Sequence, residues 1–128
     1  MSELEYPAVD GVAPGNGYTH VVTGRGQWVA ISGQIALDAD GQLVGIGDPA
    51  AQAEQVFANL ERCLTAAGAT FANVVKLTFF VTDVAHMPAI RQVRDRYIPG
   101  TKPAASAVQV AALVNPNLLL EIEAFAII

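Results

Sequence analysis

Two glutamates near the end of the chain, Glu121 and Glu123, are the acids best placed to do chemistry. They lie two residues apart in a segment that reads as a β-strand, so both side chains point to the same face. The rest of this segment is almost wholly apolar, and an isolated carboxylate there is costly unless it is paired or opens into a cavity. The pattern allows two interpretations: a carboxyl group used in proton transfer, or acids that are solvated or paired with Lys or Arg across the sheet.

A short basic segment offers a second kind of chemistry. It contains Arg91, Arg94, Arg96 and Lys102, which are four of the seven basic residues, with Asp95 as its one acid. Residues three apart on a helix are neighbours, so Arg91 and Arg94 should share a face. A guanidinium can bind a carboxylate through two parallel hydrogen bonds. The segment predicts either a site for an anionic ligand or a solvated helix face with an Asp–Arg contact.

Other catalytic machinery has no counterpart in the sequence. The chain has no glycine-rich phosphate loop and no complete dinucleotide-binding fingerprint. His20 and His86 are isolated, so we expect no metal site. The acidic segment 38–41 lacks most ligands of a calcium loop and is predicted to be a turn. Cys63 lies on the apolar stripe of a predicted helix, which favours a buried hydrophobic role over a nucleophilic one.

The elements that carry these residues follow from the hydrophobic pattern. Asp48 and Pro49 are typical of a helix start, and Gly68 is typical of the end of that helix. A second helix is predicted between Asp83 and about Ile98. Strands are predicted over 18–23, 28–32, 74–82, 104–110 and 118–128, with a possible sixth over 35–37, and the first two are close enough to form a hairpin.

This order predicts an α+β fold: one mixed sheet of five to six strands with both helices on one face. The last strand is apolar on both of its faces, which favours cover on both sides of the sheet. Because two helices can cover only one face, we expect a second copy of the chain to cover the other. The sequence therefore predicts a homo-oligomer.

Composition and charge narrow the class of protein. The 128 residues fit one domain, expected to span 1–128. Hydrophobic residues make up 52% and charged residues 15%, which excludes a disordered chain. The net charge of −5 argues against a nucleic-acid partner. No apolar run is long enough for a membrane span and no secretory signal is recognisable, so we expect a cytoplasmic protein with no membrane partner.

Several short motifs resemble, in their order and spacing, those of the Rid family of reactive intermediate deaminases, also called the YjgF family. They include the residues 32–35 (SGQI), 66–68 (AAG), 75–78 (VKLT), 81–83 (VTD) and 121–124 (EIEA). The resemblance implies a chorismate-mutase-like fold and a homotrimer with three clefts between subunits. It also implies hydrolysis of an enamine or imine to a carbonyl compound and ammonia, with no metal or organic cofactor.

The resemblance also implies roles for individual residues. Glu121 would position the attacking water, and Tyr18, Ser32 and Gly33 would line the cleft around a small-molecule substrate. The arginine that clamps the substrate carboxylate in the family would fall at position 105, where this chain has Ala105.

The substitution at position 105 is joined by two others. Ala107 replaces a cysteine that is often found in the family, and Arg91 replaces an asparagine. A methyl group cannot pair with a carboxylate, so we expect a substrate other than the usual 2-iminopropanoate. Either Arg91 takes over the missing clamp, or Ala105 and Ala107 enlarge the cleft for a substrate without that carboxylate or too large to fit beside an arginine.

Whether the chain is an enzyme stays open at this point. The alternative to a deaminase is a non-catalytic trimer that binds a metabolite or acts like a chaperone. Cleavage of RNA is a third reading, and the acidic balance of the chain argues against it.

Overall fold

The computed structural model describes residues 3–128. Its helices and strands are, in chain order, β1 (Trp28–Gln34), α1 (Pro49–Ala66), β2 (Val74–Val81), α2 (Met87–Tyr97), β3 (Ala104–Gln109) and β4 (Leu120–Ile127), with short 3₁₀ turns at Phe71–Asn73 and Val84–His86. The four strands form one mixed sheet in the order β1-β4-β2-β3. Strand β4 is antiparallel to both of its neighbours, and β2 is parallel to β3. The predicted α+β class with two helices is confirmed.

The prediction of five to six strands is wrong for residues 3–128, because the segments 18–23 and 35–37 are not strands. They contribute only isolated bridges, from Glu5 to Thr23 and from Leu37 to Leu43. The predicted hairpin is absent because β1 pairs with β4 instead, along a register that runs from Trp28 to Gln34. The backbone N–H of Thr19 donates to the carbonyl of Pro103, which ties that segment to the start of β3.

The first helix begins and ends where its sequence predicts. The Asp48 side chain accepts a hydrogen bond from the backbone N–H of Ala51, and Pro49 occupies the first helical position. The chain turns away at Gly68, which has a φ of +79°. The buried face of α1 packs against β1, β4 and α2. No helix in residues 3–128 has the length and apolar character required to span a membrane.

The two faces of the sheet differ in cover. Side chains of β2 and β4 that face the helices are buried, and those that face away are only half-buried. On the uncovered side, Trp28 is 59% exposed and stacks on Phe125 with ring centroids 5.2 Å apart. We call this side the open face. It also carries Glu121 and Glu123, which alternate with the buried residues of β4.

A fully buried glutamine fixes the turn that precedes β4. The side-chain amide of Gln52 donates to the carbonyls of Gly45 (3.1 Å) and Asn117 (2.9 Å). Its carbonyl oxygen accepts the backbone N–H of Leu119 at 2.8 Å. Helix α1 thereby holds the chain two residues before Glu121.

Replacement of this glutamine by leucine (Gln52→Leu) should destabilise the protein strongly. Three backbone groups lose a partly buried hydrogen bond, and at about 1 kcal/mol for each we expect the free energy of unfolding to fall by about 3 kcal/mol. Urea denaturation measures the change. Gln92→Leu on the exposed side of α2 is the matched control. Equal losses in the two variants would contradict this account of Gln52.

Candidate functional site

Glu121 lies on the open face against a glycine of the neighbouring strand. Gly33 falls in the β-bulge that interrupts the pairing of β1 with β4 between Ile31 and Gln34. A Cβ atom added to Gly33 would overlap the Oε2 atom of Glu121 and lie 2.7 Å from its Cδ atom. The half-buried carboxylate therefore occupies the space that any other residue at position 33 would fill. Ser32, the exposed neighbour of Gly33, alternates with the inward-facing Ile31.

Ion pairs across the sheet, one of the alternatives left open for these acids, do not form within residues 3–128. Neither Glu121 nor Glu123 has a salt bridge to any residue in the range 3–128. Lys76, a cation on the same face of the sheet, donates to the hydroxyl of Ser106 at 3.2 Å. Two half-buried carboxylates are thus left without a cationic partner in the described chain.

A cavity of about 300 Å³ lies beside the edge strand β3, between α2 and the loop 16–18. Its lining includes Tyr18, Phe79, Arg91, Arg94, Ala105 and Ala107. We call it the arginine cavity. Four residues assigned by the family resemblance, at positions 18, 91, 105 and 107, are therefore brought together. Among residues 3–128, its lining contains no Asp or Glu side chain.

The sheet separates this cavity from Glu121 within one chain. Ala105 pairs in register with Leu77, and Ala107 pairs with Phe79, both of which point to the helix-covered side. Glu121 pairs with Phe80, which points to the open face. The site residues predicted from the sequence thus form two groups: Glu121, Ser32 and Gly33 form one, and Tyr18, Arg91, Ala105 and Ala107 form the other.

Arg91 is the arginine of the cavity that has no partner among the described residues. Its side chain is half-buried and makes no hydrogen bond or ion pair with any residue in 3–128. Arg96, on the same helix, forms an exposed ion pair with Glu54. The interpretation as a solvated helix face with an Asp–Arg contact therefore fits the exposed Arg96 and the pair of Arg94 with Asp95, but not Arg91.

Arg94 is a functional candidate that the sequence reasoning left unassigned. It is only 6% exposed and lines the cavity. Its Nε and Nη2 atoms donate to one oxygen of Asp95, at 3.0 and 2.8 Å, and its Nη1 donates to the carbonyl of Gly17 at 2.9 Å. The spacing of three from Arg91 was the signal that placed both side chains on one face.

This contact holds the loop that carries Tyr18. Gly17 has a φ of +77°, and a Cβ atom there would lie 3.0 Å from the Nη2 atom of Arg94, so the close approach requires glycine. The hydroxyl of Thr19 donates to the carbonyl of Lys102 at 2.6 Å, which anchors the other side of Tyr18. The loop is thereby fixed at both ends.

Asp95 balances the buried arginine. The hydrogen bonds from Arg94 are the main reason that the pKa of the Asp95 carboxyl lies below its ordinary value of 3.8; burial opposes this shift, and the charges of Arg94 and Lys102 add smaller effects in the same direction as the hydrogen bonds. Asp95 therefore stays ionised at neutral pH, and its charge offsets that of Arg94. The remaining positive charge of the cavity belongs to Arg91.

Other residues singled out from the sequence take no part in either group. Cys63 packs, half-buried, against the core. The side chain of Asp38 accepts the backbone N–H groups of Asp40 and Gln42, as expected for the predicted turn. No group of three or more His, Cys, Asp or Glu side chains within residues 3–128 is arranged to hold a metal ion.

Gly33→Ala should displace the carboxylate of Glu121. Because the flexible Glu121 side chain can turn away from the new methyl group, we expect a rotated Glu121 side chain and a loss of only about 1 kcal/mol in the free energy of unfolding. Urea denaturation and a crystal structure measure the two effects. Ala30→Ser, at an exposed position on β1, is the control and should change stability by less than about 0.5 kcal/mol. An unmoved carboxylate in Gly33→Ala would contradict the described contact.

Comparison with known proteins agrees with the motifs. The family profile described as endoribonuclease L-PSP matches residues 10–128. The chain is 41% identical over 100 residues to the 2-iminobutanoate/2-iminopropanoate deaminase of Rattus norvegicus, covering 77% of this chain and 72% of that protein. It is 39% identical over 98 residues to the 3-aminoacrylate deaminase RutC of Acinetobacter baylyi, covering 77% of each.

A solved structure extends this likeness to the whole fold. The crystal structure of YyfB from Yersinia pestis, described as a protein of unknown function of the conserved Rid family, superposes with a TM-score of 0.89. It is 38% identical to this chain, and the match covers 98% of both chains. The family resemblance drawn from the motifs is confirmed, and the chain belongs to the Rid (YjgF) family.

Proposed function

We propose that this protein hydrolyses a small imine or enamine acid to the corresponding oxo acid and ammonia. Two relatives named above are deaminases of 2-imino acids and of 3-aminoacrylate. These compounds share a carboxylate and an imine or enamine nitrogen on the first or second carbon beyond it. Imine and enamine deamination is therefore the chemistry that we assign to this chain.

The observation that carries this proposal is the unpaired Arg91 in the arginine cavity. A half-buried guanidinium without a partner favours an anion as ligand, and a carboxylate matches its planar fork. Of the two explanations for Ala105, the takeover of the clamp by Arg91 is therefore the better supported. A substrate without a carboxylate would leave this cation unpaired in the bound state.

The small side chains at positions 105 and 107 leave space that an arginine and a cysteine would fill. A cavity of about 300 Å³ bounded by Phe79 and Met87 accepts an imino acid with a larger side chain than that of 2-iminopropanoate. Ala105 and Ala107 thus act on substrate choice through the space that they leave.

We assign Glu121 to the water that attacks the substrate. In this mechanism the carboxylate accepts a proton from the water while the oxygen of that water adds to the carbon of the C=N bond. In the resulting carbinolamine, Glu121 returns its proton to the nitrogen, the C–N bond breaks to release ammonia, and the hydroxyl loses its proton as the C=O bond forms. Overall, one imine and one water give one carbonyl compound and one ammonia, and the glutamate ends in its initial state.

The proposed site lies between copies of the chain. In one chain the sheet separates Glu121 from the arginine cavity, so the two groups need a second subunit to meet. The open face with its exposed Trp28 is the surface that a second copy would cover. We propose a homotrimer, on the family resemblance, in which the cavity of one subunit faces Glu121, Ser32 and Gly33 of the next.

A small-molecule substrate is better supported than RNA. The matching family profile carries the description of an endoribonuclease. The net charge of −5 and the small volume of the cavity favour a small ligand, since binding to a phosphate backbone requires a basic surface.

The test is a kinetic one. Imines generated in situ by an amino-acid oxidase should decay faster in the presence of the protein, with release of ammonia. Glu121→Gln should abolish this acceleration because the amide cannot accept the proton. Arg91→Ala should lower kcat/KM by about tenfold or more, which corresponds to a loss of about 1.4 kcal/mol in transition-state stabilisation.

Two neighbours provide matched controls. Glu123→Gln alters the other acid on the same face of β4, and Arg96→Ala alters an exposed arginine on α2. Both variants should retain nearly full activity. Full turnover by Glu121→Gln would refute the role of that residue, and no acceleration of any imine by the unaltered protein would favour a non-catalytic binding protein.

A further inference from the structure

The guanidinium of Arg94 is not fully used by the protein. A guanidinium carries five N–H donors, and the contacts to Asp95 and Gly17 occupy three of them. The remaining two, one on Nη1 and one on Nη2, have no partner within residues 3–128. The side chain is 7% exposed, so bulk water has little access to these donors.

Unpaired buried donors are costly, and more so on a charged group. The loop 16–18 and Asp95 satisfy only part of this side chain, although it lines the arginine cavity. A lysine would supply the single bond to Gly17 and the charge that pairs with Asp95. The loop contact and the ion pair therefore do not require the additional N–H groups that the guanidinium of an arginine provides.

We propose that Arg94 is a second carboxylate-binding residue, and that its two free N–H groups bind the same substrate carboxylate as Arg91. The two side chains lie three residues apart on α2 and line one cavity, so each can face one oxygen of a single carboxylate. This inference rests on the proposed function, because it concerns the anion that the function places in this cavity.

The charges of the cavity favour a ligand with one carboxylate. Asp95 already balances Arg94, so a bound carboxylate neutralises the charge that remains on Arg91. A second carboxylate on the ligand would bring an uncompensated negative charge into a partly buried space. Arg94 thus contributes hydrogen bonds and geometry, and Arg91 contributes most of the net attraction.

The test compares two ligands of the same shape, 2-oxobutanoate and its neutral amide 2-oxobutanamide. Their dissociation constants are measured by calorimetry for the unaltered protein and for Arg94→Lys, which preserves the net charge and removes the fork. We expect Arg94→Lys to raise the dissociation constant of 2-oxobutanoate by about tenfold and that of 2-oxobutanamide by less than about threefold. The difference arises because only the carboxylate accepts hydrogen bonds from both free N–H groups. Arg96→Lys is the control and should change neither constant.

An equal effect of Arg94→Lys on the two ligands, or no effect on either, would overturn the proposal by reducing Arg94 to a residue that holds the loop. No binding of either ligand to the unaltered protein at millimolar concentration would also overturn it. If Arg94→Lys does not fold, nuclear magnetic resonance of the unaltered protein decides. The guanidinium N–H resonances of Arg94 should shift with 2-oxobutanoate and not with the amide, and a shift confined to Arg91 contradicts the assignment.

These outcomes are separable from those of the kinetic test. If the ligands behave as expected but no imine is hydrolysed, the proposed activity fails and the carboxylate site remains. If imines are hydrolysed and Arg94→Lys leaves the preference for 2-oxobutanoate over 2-oxobutanamide unchanged, the role assigned to Arg94 is wrong and the proposed activity stands.

Discussion

A sheet with helices on one side only is the constraint from which the rest of this structure follows. The helix-covered side of β2 and β4 is fully apolar and buried, so it supplies the core. The opposite side keeps Trp28 largely exposed and leaves Glu121 without a cationic partner in the described chain. Burial of that face by another copy would remove apolar area from water at a gain of about 25 cal/mol per Å². It would also place the acid in a protected cleft.

The arginine cavity follows from how α2 and the loop 16–18 meet the edge strand. The buried Arg94 ties the loop to the helix through Gly17, and Asp95 keeps that buried charge balanced. Asp95 balances this charge, so Arg91 is the cation of the lining that has no partner within residues 3–128. One arginine of the cavity is held in place by hydrogen bonds to the protein, and the other has no partner in the part of the chain that the structure describes. The first gives the cavity a fixed geometry, and the second gives it a net attraction for an anion. In the proposed function, the small residues at positions 105 and 107 leave the space for the rest of the ligand.

Much of the fold was predictable because local signals agreed with tertiary structure. The Asp48–Pro49 start of α1 and the alternation of β4 were both confirmed. The predicted strand over 18–23 was wrong because hydrogen bonds of that segment go to Glu5 and Pro103, and β1 finds its partner about a hundred residues later in β4. A single sequence shows which segments could form strands from their hydrophobic pattern. It does not show which distant segment each strand pairs with.

The candidate site was only partly accessible from the sequence. The family resemblance predicted Glu121, Ser32, Gly33 and Tyr18 as site residues. The spacing of three residues on α2 predicted that Arg91 and Arg94 share a face. The separate roles of these two arginines depend on Gly17, which lies 77 residues away in the chain. The steric fit of Gly33 against Glu121 likewise depends on a β-bulge that no local signal marks.

The central claim is that the acid and the arginines act together only across a subunit boundary, and complementation between two impaired variants tests it most directly. Arg91→Ala and Glu121→Gln are unfolded together, refolded as a mixture and assayed for imine hydrolysis. If each site takes its arginine from one copy and its glutamate from the next, random assembly restores about a quarter of the wild-type activity. If both residues act within one chain, no mixed site is complete, and activity that stays at the level of the separate variants would contradict the account.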